Sequence, residues 1–158
     1  MANTTRKNAT SSARMGFSMF ELLIVVIILG VMAAMAGPAM SRITRHNRVN
    51  RAATVIASDL QNAFAVAARQ RQPVRIQADA ATRSYQFVDR RTGAVLRIRT
   101  FYGDTSEYRL TSLVFTPTTI DVFPNGISSS QVNIVLANGD YVKRISASTA
   151  GFIRVKPQ

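Results

Sequence analysis

The chain has 158 residues and no cysteine, which suits one compact domain plus an added segment and excludes disulfides and thiolate metal sites. Its 20 basic side chains outnumber 8 acidic ones, for a formal charge of +12. That balance favours partners with negative surfaces, such as nucleic acid, anionic headgroups or an acidic protein face; the alternative is a solvated basic surface with no dedicated partner.

Residues 1–16 are polar and basic, with Arg6, Lys7 and Arg14 and no acid. From Phe17 to Ala36 the chain is apolar, and Glu21 is its only charged residue. A run of about 20 apolar residues crosses a hydrocarbon core of about 30 Å as a helix. An acid at mid-membrane costs about 2.5–3.5 kcal/mol on insertion scales. Glu21 lies near the start of the run, where snorkelling lowers that cost, but an intramembrane acid still asks for a partner. Two plainer readings compete. A secretory signal would have a shorter apolar core and a small-residue cleavage site, for which Ala33-Ala34-Met35-Ala36 loosely passes. A signal anchor would keep the span, and the arginines on both flanks leave its orientation open.

The stretch Gly16-Phe17-Ser18-Met19-Phe20-Glu21-Leu22-Leu23 resembles the type IV prepilin signature. That family has a basic leader ending in glycine, an aromatic or methionine as first mature residue, glutamate at the fifth mature position and then an apolar helix. The resemblance implies cleavage between Gly16 and Phe17 by a prepilin peptidase, and N-methylation of Phe17. It also implies an assembly role for Glu21. A lone carboxylate in a packed apolar bundle wants a cation in the same low-dielectric surroundings, and the amine of Phe17 on a neighbouring subunit fits. Such a pair favours one axial register, because a wrong register leaves a charge buried and unpaired.

Gly37-Pro38 follows the span and predicts a kink more than a stop. The sequence then stays helix-compatible to about Arg71. Val49, Ala53, Ile56, Leu60, Phe64 and Ala67 recur every three or four residues, which predicts a stripe packed on a sheet. Arg45, Arg48, Arg51, Asp59, Gln61 and Arg69 are assigned to the other faces. Arg42, Arg45, Arg48 and Arg51 step by three and drift around the helix, where headgroups, another subunit or solvent would meet them. His46 is the only histidine and reads as a surface residue, with no metal site. Pro73 closes the region.

Beyond Pro73 the period becomes that of strands. Val74-Arg75-Ile76, Tyr85-Gln86-Phe87 and Leu96-Arg97-Ile98 alternate apolar with polar, as half-buried strands do. Further strands are expected at about 107–115, 118–123, 131–136, 141–146 and 151–156. Arg90-Arg91-Thr92-Gly93, Pro124-Asn125-Gly126 and Asn138-Gly139-Asp140 read as turns. The predicted fold is α+β and pilin-like: a long N-terminal helix, transmembrane and then amphipathic, on antiparallel β-sheets. Its parts are a leader at 1–16, a transmembrane segment at 17–37, an amphipathic helix at 38–72 and a β-rich periplasmic domain at 73–158.

This portion is similar to the GspH/FimT group of minor pseudopilins and minor pilins. The similarity rests on Ala57-Ser58-Asp59-Leu60 through Ala67-Ala68-Arg69, on Gln72-Pro73-Val74-Arg75-Ile76, and on Val122-Phe123-Pro124-Asn125-Gly126. It continues in Val132-Asn133-Ile134-Val135-Leu136 and Gly151-Phe152-Ile153-Arg154-Val155. The resemblance implies two functions. One is an H-like minor pseudopilin of a type II secretion system, a single-pass inner-membrane protein with other pseudopilins or pilins and the inner-membrane assembly platform as partners. The other is a FimT/FimU-like minor pilin of a type IV pilus that binds DNA in natural transformation.

Removing the leader leaves a net charge of +9. Arg90, Arg91, Arg97 and Arg99 surround one predicted hairpin, and Lys143, Arg144, Arg154 and Lys156 lie near the C-terminus. These eight are the candidate DNA-binding residues, because cations bind phosphate without reading sequence. The FimT-type motif resembles Gly-Arg-x-Arg, and here Phe152 replaces its first arginine. No catalytic constellation and no cofactor motif is found, and the chain reads as the substrate of an enzyme. Asp104 and Glu107 read as solvated turn acids, and Asp121 as a strand-end or turn hydrogen-bonding residue.

Overall fold

The computed structural model describes residues 16–103 and 106–157, with the backbone alone at 36–39 and 157. Arg6, Lys7 and Arg14 of the expected leader, and Asp104, lie outside these residues. The chain divides into two compact units, Met1–Ala39 and Met40–Gln158.

The helix α1 runs from Met19 to Gln70. Its assignment continues through Gly37 and Pro38, so the helix does not stop there. In the first unit every side chain from Gly16 to Met35 is exposed. By length and composition α1 has a stretch able to cross a membrane, and none of that stretch is buried. In the second unit one face of α1 is buried through Val49, Ala52, Ala53, Ile56, Leu60, Ala63 and Ala67. This is the predicted stripe, with Phe64 only half-buried against it, widened by alanines that allow close approach to the sheets. Each large aliphatic side chain so buried contributes about 1.5–3 kcal/mol. The helix ends at Gln70, and Arg71 takes the left-handed conformation (φ 53°) that commonly terminates helices. Pro73, with no N–H to continue the ladder, follows.

Eight strands make two antiparallel sheets. The first contains β1 (Val74–Asp79), β2 (Ser84–Asp89), β3 (Val95–Thr100) and β5 (Thr119–Val122), in the order β3-β2-β1-β5. The second contains β4 (Ser112–Thr116), β6 (Val132–Asn138), β7 (Tyr141–Ala147) and β8 (Ile153–Pro157), in the order β4-β6-β7-β8. Alternate residues Ile76, Tyr85, Phe87 and Ile120 of one sheet, and Leu113, Phe115, Ile134, Leu136 and Ile145 of the other, share a core with the helix stripe.

Every predicted strand is present, with two corrections. The strand expected from residue 107 begins at Ser112. Arg109 takes a positive φ (45°), and the Asn138 side-chain amide donates to the carbonyls of Tyr108 and Arg109, so that stretch cannot enter the ladder. Strand β3 is not half-buried as its alternation suggested. Every one of its residues except the half-buried Arg99 is exposed. Ile98 lies on the outer face, 66% exposed, whereas Arg97 and Arg99 reach towards the helix.

Candidate functional site

The N-terminal residues form one local arrangement. Ser18 caps α1: its hydroxyl accepts the Phe20 N–H at 3.3 Å, and its carbonyl accepts the Leu22 N–H at 3.1 Å. The Glu21 carboxylate reaches back to accept the Ser18 N–H, at a long 3.4 Å. This is a capping box, in which Ser and Glu three residues apart satisfy orphan N–H groups. The spacing Ser18-x-x-Glu21 carried that signal, and the sequence reading gave Glu21 an assembly role alone. An acid in the first turn also complements the positive end of the helix dipole. Gly16, Phe17 and Glu21 are all exposed, Phe17 at 75%.

Asp59, assigned by pattern to a solvated face, is 4% exposed on the core side of α1. It accepts from Tyr85 Oη at 2.7 Å, from Arg97 at 2.8 Å and from the Arg99 guanidinium. Burial, together with the neighbouring Asp59 carboxylate, pushes the Tyr85 hydroxyl far above its ordinary range, so it stays a proton donor. A buried carboxylate is tolerated because two cations and a hydroxyl satisfy it. Helical periodicity alone could not find this, since the partners come from strands 26 to 40 residues away.

Asp121, expected to hydrogen-bond at a strand end or turn, lies near the end of β5 and also makes long-range ion pairs. Arg75 holds it in a two-pronged pair at 2.7 and 3.1 Å, and Arg90 adds a third approach at 3.4 Å. The Arg75 hydrogen bonds hold the Asp121 carboxyl below the usual range, against the opposing effect of its burial. Glu107 pairs with Arg51 at 3.3 Å, both well exposed.

These pairs divide the eight candidate DNA-binding residues. Arg97 and Arg99 are engaged by Asp59, and Arg90 by Asp121. Arg91 is exposed in the β2–β3 turn, where its N–H is taken by Asp89. The predicted hairpin patch is therefore not a set of four unneutralised cations. Lys143 is half-buried and on the same side of β7 as the buried Ile145. Arg144, Arg154 and Lys156 are exposed together on the outer face of the second sheet. Arg144 stands directly across from Lys156, and Ser146 across from Arg154. Like charges set directly opposite each other on paired strands destabilise the pairing. Among the described residues no group of three or more His, Asp or Glu side chains could hold a metal.

Two solved proteins share this architecture. One is the type IV minor pilin FimU of Pseudomonas aeruginosa, 22% identical, with a TM-score of 0.58 over 73% of this chain and 92% of that one. The other is the minor pseudopilin EpsH of the Vibrio cholerae type II secretion system, 18% identical, with a TM-score of 0.50 over 70% of this chain and 97% of that one. The chain has a pilin-like fold. At these identities the likeness is one of fold. No protein-family model and no curated protein sequence matches the chain.

Proposed function

We propose that the chain is a minor pilin or minor pseudopilin, a subunit of a filament assembled from the inner membrane. The observation that carries this reading is Glu21 near the head of an apolar helical stretch whose side chains are exposed from Phe17 to Met35, in a chain whose folded part is pilin-like. An exposed helical face of that length is stable only in lipid or against other apolar helices.

In this reading a prepilin peptidase cuts between Gly16 and Phe17 and methylates the new amine. The segment 17–37 holds the chain in the inner membrane and 73–158 lies in the periplasm. The assembly platform extracts the subunit into the filament, where Glu21 meets the Phe17 amine of a neighbour. A register that parts Glu21 from the neighbour's amine leaves an acid facing apolar side chains, and that mismatch rejects wrong registers. Within this class we favour the H-like pseudopilin of a type II secretion system. The test is the mass of the protein extracted from its native membrane. A chain beginning at methylated Phe17 is expected; one retaining residues 1–16 overturns the proposal.

A second reading, a pilus minor pilin that binds DNA, is favoured by one feature: Arg144, Arg154 and Lys156 on one sheet face, with Arg144 and Lys156 directly opposed. A phosphate backbone would relieve that repulsion. Retention of the protein on double-stranded DNA should then fall steeply with salt. Changing these three residues to glutamine should abolish it, whereas Arg97→Gln with Arg99→Gln should leave most of it. Loss of retention only in the second variant would contradict this assignment.

A further inference from the structure

Strand β3 forms one edge of the first sheet, and among the described residues no strand pairs with its outer side. The Phe101 N–H donates to the Arg83 carbonyl, which fixes the phase of the β2–β3 ladder. Pairs alternate in an antiparallel ladder, so Tyr85 with Arg99 and Phe87 with Arg97 exchange hydrogen bonds, and Ile98 and Thr100 point their N–H and C=O groups outwards. Leu96 is the extra residue where the register shifts. An edge of this kind is a template for another strand.

Its side chains say which strand. Ile98 is 66% exposed and Val95 56%, an apolar pair on an edge that natural sheets usually protect. On the opposite face Arg97 and Arg99 remain 44% and 30% exposed. Together they bring two positive charges to the single carboxylate of Asp59, leaving one cation uncompensated. Beside them a cleft of about 210 Å³ runs between α1 and β3, lined by Ala63, Val66, Val74, Phe87 and Leu96 among others. The cleft leaves the inner side of this edge open beside the arginines.

We infer that β3 is the docking edge for an extended strand of a different filament subunit, one that alternates aliphatic with acidic residues. The aliphatic side chains lie beside Ile98 and Val95 on the outer face; the acids, on the other face, meet Arg97 and Arg99; Ile98 and Thr100 supply the backbone hydrogen bonds. A second copy of this chain is disfavoured, because two β3 edges would set arginine against arginine. The inference takes the source of the strand from the filament reading.

The sequence has no cysteine, so Thr100→Cys in the full chain carries the only thiol and can be labelled with a thiol-reactive benzophenone in native membranes. The expected adduct maps, by mass spectrometry, to an acidic–aliphatic segment of another filament subunit. Ile98→Pro removes an outward N–H without breaking the β2–β3 ladder. It should leave the thermal midpoint unchanged and lower the adduct yield about tenfold. Arg97→Glu should lower the yield as well. A probe at Val114→Cys, on the other sheet, should give no such adduct. The inference is overturned by no adduct at Thr100→Cys, by an adduct between two copies, by one on a non-acidic segment, or by a yield unaffected by Ile98→Pro. The start of the chain at Phe17, measured on the same membranes, reads the filament assignment separately.

Discussion

The two stretches of α1 use apolar residues in opposite ways. From Phe17 to Met35 nearly every side chain is apolar and every one is exposed. From Met40 to Gln70 apolar residues are sparser, yet those on one face are almost fully buried. Apolarity therefore decides where a segment can reside, and periodicity decides what it packs against. The first stretch is apolar all round and needs a non-aqueous surrounding. The second has a stripe and finds its surrounding within its own chain. Each stretch also holds one acid, and the two acids differ likewise. Asp59 is neutralised inside the fold, whereas among the described residues Glu21 meets only the Ser18 N–H.

The contrast can be broken most strongly at Asp59. Asp59→Ala strands two guanidiniums and a tyrosine hydroxyl, and should cost about 3–5 kcal/mol in chemical denaturation of the folded unit. A cost below about 1 kcal/mol would mean that the cluster is solvated. The same truncation made once in each stretch sharpens the comparison. Ile56→Ala should cost about 2–5 kcal/mol, from lost burial and a cavity. Ile27→Ala should leave the stability of the folded unit within about 0.5 kcal/mol, since Ile27 is an exposed residue of the first unit.

A smaller effect is set by pH. Asp121 has its pKa lowered in the folded state, chiefly by Arg75, so it contributes stability above its unfolded pKa of about 3.9. That contribution is lost as pH falls through the lower folded value. Asp89 and Asp79 are lowered in the same sense, by the Arg91 N–H and the Thr82 hydroxyl respectively. Denaturation midpoints should fall below about pH 4, and Asp121→Asn should flatten the slope without removing it. The smallest effect is at the helix end. Arg71 holds a left-handed conformation that glycine adopts without strain, so Arg71→Gly should raise stability by about 0.5–1 kcal/mol.

The sequence made the helix stripe, the strand positions and the turns legible because each rests on local chemistry. Gly126 and Gly139 have the positive φ values that their turns require. What it hid was long-range. Asp59 looks like a polar-face residue until Tyr85, Arg97 and Arg99 are brought beside it. Leu96-Arg97-Ile98 looks like a half-buried strand, but the alternation does not say which face is inward, and the buried carboxylate selects the arginines. The strand-end position of Asp121 is legible, but its ion pairs are not, because its partners Arg75 and Arg90 come from another strand and a turn. Of the candidate site residues, Gly16, Phe17 and Glu21 are legible as a motif, and the capping box is equally legible in the spacing of Ser18 and Glu21.

That capping box supplies the sharpest test of the filament account, because it offers Glu21 a purely local purpose. Glutamine at the same position can still cap Ser18 but carries no charge. Incorporation of Glu21→Gln and Glu21→Ala into the filament should be measured side by side with the wild type in the native host. If Glu21 pairs with the Phe17 amine of a neighbour, both variants are excluded from the filament. Wild-type incorporation of Glu21→Gln would assign the residue to the helix cap and contradict the account.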